Sequence, residues 1–225
     1  MATSALIRSD SDIQRDVLDE LGWEPRVRPH EIGVSVDGGV VTLTGWVDSY
    51  AKKWAAERAA HRLRRVRAVA NDIEVRVPTS AARTDTEIAT AVTRALEWDA
   101  FVPVEFVDVT VSNGWVMLRG EVEWEYQRRA AERSVRRLVG VRGVSNSVTV
   151  RPRARLSPGE REAQIRAALA RRVDTGGERV TVGVQGDEVV LGGTVPSWLE
   201  REEAERVAWS APGVAAVTNH VRVRT

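Results

Sequence analysis

Apolar residues along the first third of the chain change their spacing at defined points. Ile13, Val17 and Leu21 recur at every fourth position, the signature of one buried helical face. Ser9 to Asp12 place oxygen-bearing capping side chains before this run, and Gly22 closes it. Pro25 and Pro29 are expected to keep the next stretch extended. Ile32, Val34 and Val36 then alternate with polar residues, which predicts a strand with one buried face. Asp37-Gly38-Gly39 reads as a hairpin turn, because glycine accepts the positive φ of tight turns. Val41, Leu43, Gly45 and Val47 form the inward set of a second strand. Asp48 and Ser49 are expected to cap a second helix whose stripe is Ala55, Ala56, Ala59, Leu63 and Val66. Val69, Ile73, Val75 and Val77 alternate as a third strand, giving helix–strand–strand–helix–strand.

The same pattern returns twice without a gap. At an offset of 75, Val17, Leu21, Trp23, Val41, Leu43 and Gly45 fall on Val92, Leu96, Trp98, Val116, Leu118 and Gly120. At an offset of 148, Ile165, Leu169, Val189, Leu191, Gly193 and Val195 complete the series. Capping boxes are predicted at Thr84 to Glu87, Ser157 to Glu160 and Ser197 to Glu200. Asn113-Gly114 and Gln185-Gly186-Asp187 occupy the hairpin turn, and Gly140 and Gly213 share a position where the first copy has Arg65. The expected fold is α+β: three tandem αββαβ units at 10–78, 85–152 and 157–225, each a three-stranded sheet covered on one face by two helices. Such small units bury only about 60% of their unfolded-chain surface, so neighbouring units are expected to dock. The short connections at 78–85 and 151–159 hold them close.

Composition narrows the chemistry. Hydrophobic residues make up 43% and charged residues 29% of 225, which describes a folded chain. A net charge of +1 gives no global attraction to nucleic acid or membrane, so any such attraction must be local. The absence of cysteine removes disulfides, thiolate catalysis and cysteine-ligated metals. Met1 to Ser11 shows no basic stretch followed by an apolar one, and no window approaches 18 apolar residues. A cytoplasmic chain, at most peripheral to a membrane, is the expectation. Lys52 and Lys53 are the only lysines among many arginines, and with abundant Ala, Val and Gly this suggests a GC-rich bacterial genome.

Each unit resembles the BON domain (bacterial OsmY and nodulation). The resemblance rests on Leu43-Thr44-Gly45-Trp46-Val47, on Ala56-Glu57-Arg58 with Ala131-Glu132-Arg133 and Ala204-Glu205-Arg206, and on the endings around Asn71, Asn146 and Asn219. These endings read Val69-Ala70-Asn71-Asp72-Ile73-Glu74-Val75, Val144 to Val150 and Val217 to Val223. The resemblance implies a non-enzymatic binding module, linked to phospholipid or membrane association and to osmotic or envelope stress, often in the periplasm. It carries no catalytic residue over to this chain.

Local features give the candidate sites. Lys52, Lys53, Arg58, Arg62, Arg64, Arg65 and Arg67 form a basic run against the single acid Glu57. The second copy is milder, and the third is acidic through Glu200, Glu202, Glu203 and Glu205. This run is the expected anionic docking surface, for phospholipid first, with nucleic acid or an acidic partner as alternatives, at roughly 1 kcal/mol per cation near an anionic membrane. Its dull alternative is a solvated face paired with acids elsewhere, the third copy included. Trp23 and Trp98 are expected to close the sandwich as a core lid. Alternation puts Trp46, Trp115 and Met117 on the sheet face away from the helices, for contact between units, with a protein partner or within a homo-oligomer. Trp124 and Trp198, near the start of the second helix, complete the contact set. Gly140-Val141-Arg142-Gly143 matches the GxxG of KH modules but occurs once and beside a strand, so nucleic acid is disfavoured. His30, His61 and His220 lack metal-ligand spacing, and no catalytic motif stands out. No enzyme activity, cofactor or metal is expected.

Overall fold

The structure, a computed structural model, describes residues 9–63, 65–153, 156–173 and 180–224. The first unit comprises α1 (Asp10–Gly22), β1 (Ile32–Asp37), β2 (Val40–Val47), α2 (Tyr50–His61), β3 (Ala68–Asn71) and β4 (Glu74–Val75). The second comprises α3 (Asp85–Glu97), β5 (Val107–Ser112), β6 (Trp115–Val122), α4 (Glu125–Val135) and β7 (Gly143–Val150). The third comprises α5 (Pro158–Arg172), β8 (Thr181–Gln185), β9 (Glu188–Gly192), β10 (Thr194–Val195), α6 (Trp198–Trp209), β11 (Ala216–Asn219) and β12 (Arg222–Val223). This is the α+β array of three αββαβ units that the periodicity predicts.

In each unit the second strand is central. β1 pairs antiparallel with β2, with Asp37 opposite Val40, so Gly38 and Gly39 alone make the turn, at φ 55° and 80°. The last strand pairs parallel to the central one, and in the second unit the ladder runs unbroken from Trp115↔Gly143 to Val122↔Val150. In the first and third units it is interrupted just after Asn71 and Asn219. Both helices lie over one sheet face. Ile13, Val17 and Leu21 of α1, with Ala55, Ala56, Ala59 and Ala60 of α2, close over Val41, Leu43 and Val47. The other two units have separate cores of the same make-up. The alanines keep the second helix close to the sheet, where larger side chains would hold it away.

A glycine on the central strand is a structural requirement. Gly45, Gly120 and Gly193 have φ of 107°, 131° and 103°. A Cβ on Gly45 would lie 2.1 Å from the Glu31 carbonyl oxygen, and one on Gly120 would lie 2.0 Å from that of Phe106. A carboxylate in the first helical turn clips the hairpin: Asp10 accepts from the Gly38 and Gly39 amides at 2.8 and 3.0 Å, and Asp85 from Asn113 and Gly114, both at 2.8 Å. In the third unit Arg161, only 3% exposed, does this work from the donor side. Its guanidinium bonds the carbonyls of Pro212, Gly186 and Leu156.

Three local expectations are corrected. Pro29 opens a short 3-10 turn, Pro29–Glu31, rather than continuing an extended stretch. The boxes at Thr84–Glu87 and Ser157–Glu160 form, but the Ser197 hydroxyl bonds the Glu200 carboxylate directly and leaves the helix amides uncapped by its side chain. Trp23 and Trp98 are no lid: they are 84% and 88% exposed. Each caps the C-terminus of its helix in the αR region, two residues past Leu21 or Leu96, which has already filled the core.

Two substitutions test the backbone argument. Gly120→Ala should destabilise the second unit by about 2 kcal/mol or more, since a positive φ and a carbonyl clash coincide. Arg65 sits at φ 72° where Gly140 and Gly213 have 90° and 83°, so Arg65→Gly should raise stability by roughly 0.5–1 kcal/mol. Urea titration followed by circular dichroism reads both.

Candidate binding surfaces

The second helices are held by a repeated bolt. The carboxamide nitrogens of Asn71, Asn146 and Asn219 donate to the carboxylates of Glu57, Glu132 and Glu205 at 2.9, 3.3 and 3.0 Å. The same nitrogens reach the helix carbonyls of Lys53, Arg128 and Arg201 at 3.3, 2.9 and 3.4 Å. The carboxamide oxygens accept from the amides of Ile73, Val148 and Val221. This explains why a glutamate on the helix and an asparagine on the strand recur together.

The other flank of each second helix meets the next unit, head to tail. Tyr50 of α2 packs against the second core, and the Arg136 guanidinium lies 3.6 Å from the Trp54 ring centroid. Burial lowers the pKa of Arg136 and raises that of Tyr50. Between the second and third units, Trp209 packs against both cores, Arg128 lies 5.6 Å from its ring and Arg129 approaches Glu205 at 3.8 Å. Glu125, 3% exposed, holds Arg128 and Arg129 at 2.7 and 2.9 Å. The third unit returns to the first: Trp198 packs against the first core, its indole nitrogen donates to the Val66 carbonyl, and Glu202 pairs with Arg58. The His61 ring lies 4.6 Å from that of Trp198, tilted by 59°. Tyr50, Glu125 and Trp198 are equivalent positions, as are His61, Arg136 and Trp209. One contact pattern is therefore used three times with different chemistry, and it closes the array into a cycle.

Much of the basic run of the first unit is engaged within the protein. Lys52 pairs with Asp48 at 2.6 Å, Arg58 with Glu202, and Arg62 with Glu20 and Glu24 at 2.7 and 3.5 Å. Arg67 donates to the Gly38 carbonyl at 3.3 Å, and Arg65 also has an interaction partner. Lys53 is half-buried, and Arg64 lies outside the described residues. Glu24 is 4% exposed and is held down to a pKa of about 2, first by its hydrogen bonds from Arg26.

On the open sheet faces, Trp46 is 37% and Trp115 50% exposed, and Met117 is half-buried. Arg76 lies 5.9 Å from the Trp46 ring, and the Trp115 indole donates to Ser145 at 2.9 Å, each contact within its own unit. Trp124 stacks 6.4 Å from Tyr126, and Tyr126 meets Phe101 edge-on at 6.0 Å. Phe101, Phe106 and Tyr126 are 61%, 51% and 51% exposed. Phe106 also lines an open cleft with Pro103, Gln127, Arg151 and Arg153. Periodicity and spacing do not single out Phe101, Phe106 and Tyr126. Their signal was contrast between copies, because the first unit has Arg26, Glu31 and Ala51 at those positions.

Among the described residues, no helix is long and apolar enough to cross a membrane and no group of His, Asp or Glu is arranged to hold a metal. The arrangement is that of a tandem-repeat protein whose distinctive features are surfaces. The BON domain family model matches residues 9–77, 84–152 and 159–225, and the chain belongs to that family. It is similar to Osmotically-inducible protein Y of Escherichia coli (strain K12), 29% identical over 143 residues, which are 62% of this chain and 71% of that protein. Two structures of CdsD, a structural protein of the Type III secretion system of Chlamydia trachomatis, also align. One covers 95% of this chain and 92% of its own at 15% identity and a TM-score of 0.25; the other, its C-terminal domain, covers 97% and 100% at 15% and 0.26. Likenesses at those TM-scores carry no argument.

The junction that closes the cycle contains a largely buried histidine. Burial is the main cause that lowers the pKa of His61 from 6.5, opposed by Glu57 and Glu202 and aided by Arg58 and Arg201, and its Nδ1 is buried without a hydrogen-bond partner. The unfolded chain therefore takes up a proton that the folded junction refuses, so stability falls as pH drops below 6.5. Urea midpoints between pH 7 and about 5.5 should decline in the native chain and decline less in His61→Phe, which keeps the ring but not the proton.

Proposed function

We propose that this chain is a non-enzymatic binding protein that attaches peripherally to anionic phospholipid surfaces, in a setting linked to osmotic or envelope stress. The observation that carries this reading is the aromatic cluster of the second unit. Tyr126 lies 6.0 Å from Phe101 and 6.4 Å from Trp124, and the exposed Phe106 lines a cleft with Arg151 and Arg153, whose side chains stay 74% and 80% exposed although they pair with Glu121 at 2.9 Å and Glu123 at 3.8 Å. Amphipathic rings beside arginines suit the headgroup layer, where the ring leaves water and the cation stays with phosphate. The basic run at Lys52, Lys53, Arg58, Arg62, Arg64, Arg65 and Arg67 contributes a secondary attraction through its summed positive charge. The stress setting is taken from the likeness to Osmotically-inducible protein Y.

Co-sedimentation with vesicles tests this. Binding should be stronger to phosphatidylglycerol-containing than to phosphatidylcholine vesicles, weaken with salt, and fall about tenfold in Phe101→Ala/Tyr126→Ala. Equal recovery with both vesicle types, or an unchanged double variant, would overturn the reading.

A further inference from the structure

The three units differ in the groove between their two helices. In the first, Arg62 bridges Glu20 and Glu24 across it at 2.7 and 3.5 Å. In the second, the Ser134 hydroxyl donates to Asp99 at 2.6 Å at the equivalent place. In the third, Ala168 replaces Glu20, Arg172 replaces Glu24, Ser210 replaces Arg62 and Val207 replaces Ser134. The bridge is gone. What remains is an open groove with an apolar floor of Ile165, Ala168, Val207 and Ala211, and with Arg171 and Arg172 at its rim. Both arginines are exposed, and neither has an acidic partner among the described residues.

The position of Arg171 in this unit is held by tryptophan in the other two. Trp23 is 84% exposed at the end of α1, with Leu18 at 40% and Asp19 also exposed. α1 carries Asp10, Asp12, Asp16, Asp19 and Glu20 against Arg15 alone. The surroundings of Trp98 differ: one turn before it stands Arg94 where the first unit has Asp19, Thr93 and Ala95 replace Leu18 and Glu20, and Glu97 replaces Gly22. An apolar groove with a cationic rim and an exposed aromatic beside an acid are complementary in shape class and in sign. We propose that the third unit's groove receives the end of α1 from a second copy of this chain, with the Trp23 ring on the apolar floor and Asp19 facing Arg171 and Arg172. The two surfaces differ, so the contact is head-to-tail, and every copy offers one donor and one acceptor. Association of this kind propagates into chains of molecules, and it is independent of the lipid reading.

Sedimentation velocity across a concentration series of the full chain tests the proposal. The native protein should gain mass with concentration, and Trp23→Ala and Arg171→Glu/Arg172→Glu should each weaken association about tenfold or more. All these positions are exposed, and circular dichroism melts check that each variant is folded. The decisive arm mixes the two variants. Trp23→Ala keeps its groove and the arginine variant keeps its tryptophan, so together they should form a 1:1 heterodimer that grows no further. Trp98→Ala should associate like the native chain. A native protein that stays monomeric, variants that still assemble alone, a mixture that fails to pair, or equal loss in Trp98→Ala would each overturn the proposal.

Discussion

A glutamate–asparagine bolt fixes the second helix of every unit, and the remaining architecture follows from where it leaves that helix. The side chains of Asn71, Asn146 and Asn219 satisfy donor and acceptor at once, to a helix carbonyl, a helix carboxylate and their own strand. A half-buried amide so fully paired has one stable orientation, and removing it would strand several partners. The alanine stripe beneath lets the helix lie close enough to the strand for these bonds to form. With its inner side committed in this way, the helix has only its flank left to offer.

That flank makes the junctions, and the junctions answer the weakness of small cores. Each unit buries one modest cluster, too little to be secure alone. Tyr50, Trp209 and Trp198 extend those clusters across unit boundaries and return the last unit to the first. A head-to-tail contact that closes leaves no end unit with a bare face, as an open array would. The chemistry at equivalent junction positions varies from phenol to carboxylate to indole because only the geometry is shared.

What the sequence disclosed follows from the range of its signals. Alternation and fourfold spacing are local, so helices, strands and the two-residue turns at Gly38-Gly39 and Asn113-Gly114 were legible. The bolt was visible as a recurring Glu and Asn 14 positions apart, but their contact is a tertiary fact. The lid expectation for Trp23 and Trp98 went wrong because periodicity ends with the helix, and the capping residue can turn either way. The basic run is plain in sequence, yet the partners Glu20, Glu24 and Glu202 come from a different helix or a different unit. Charge clustered along a helix reports what is present; its availability depends on what folds against it.

Three copies on one scaffold also act as controls for one another. Where all three agree, as at Gly45, Gly120 and Gly193, backbone geometry accounts for the residue. Where one departs while its neighbours keep a bridge, folding alone does not account for the change. The first unit spends Arg62, Glu20 and Glu24 on closing its inter-helix groove, and the second closes it more cheaply with Ser134 and Asp99. The third places small apolar residues on the floor and arginines on the rim, which leaves cations exposed beside unfilled apolar surface. The same comparison isolates Phe101, Phe106 and Tyr126 in the second unit, where the first has Arg26, Glu31 and Ala51. Each unit therefore contributes the same frame and a different outer surface, joined through the contacts between units. Substitutions at one outer surface should leave the other two intact, because each unit keeps its own core and its own bolt.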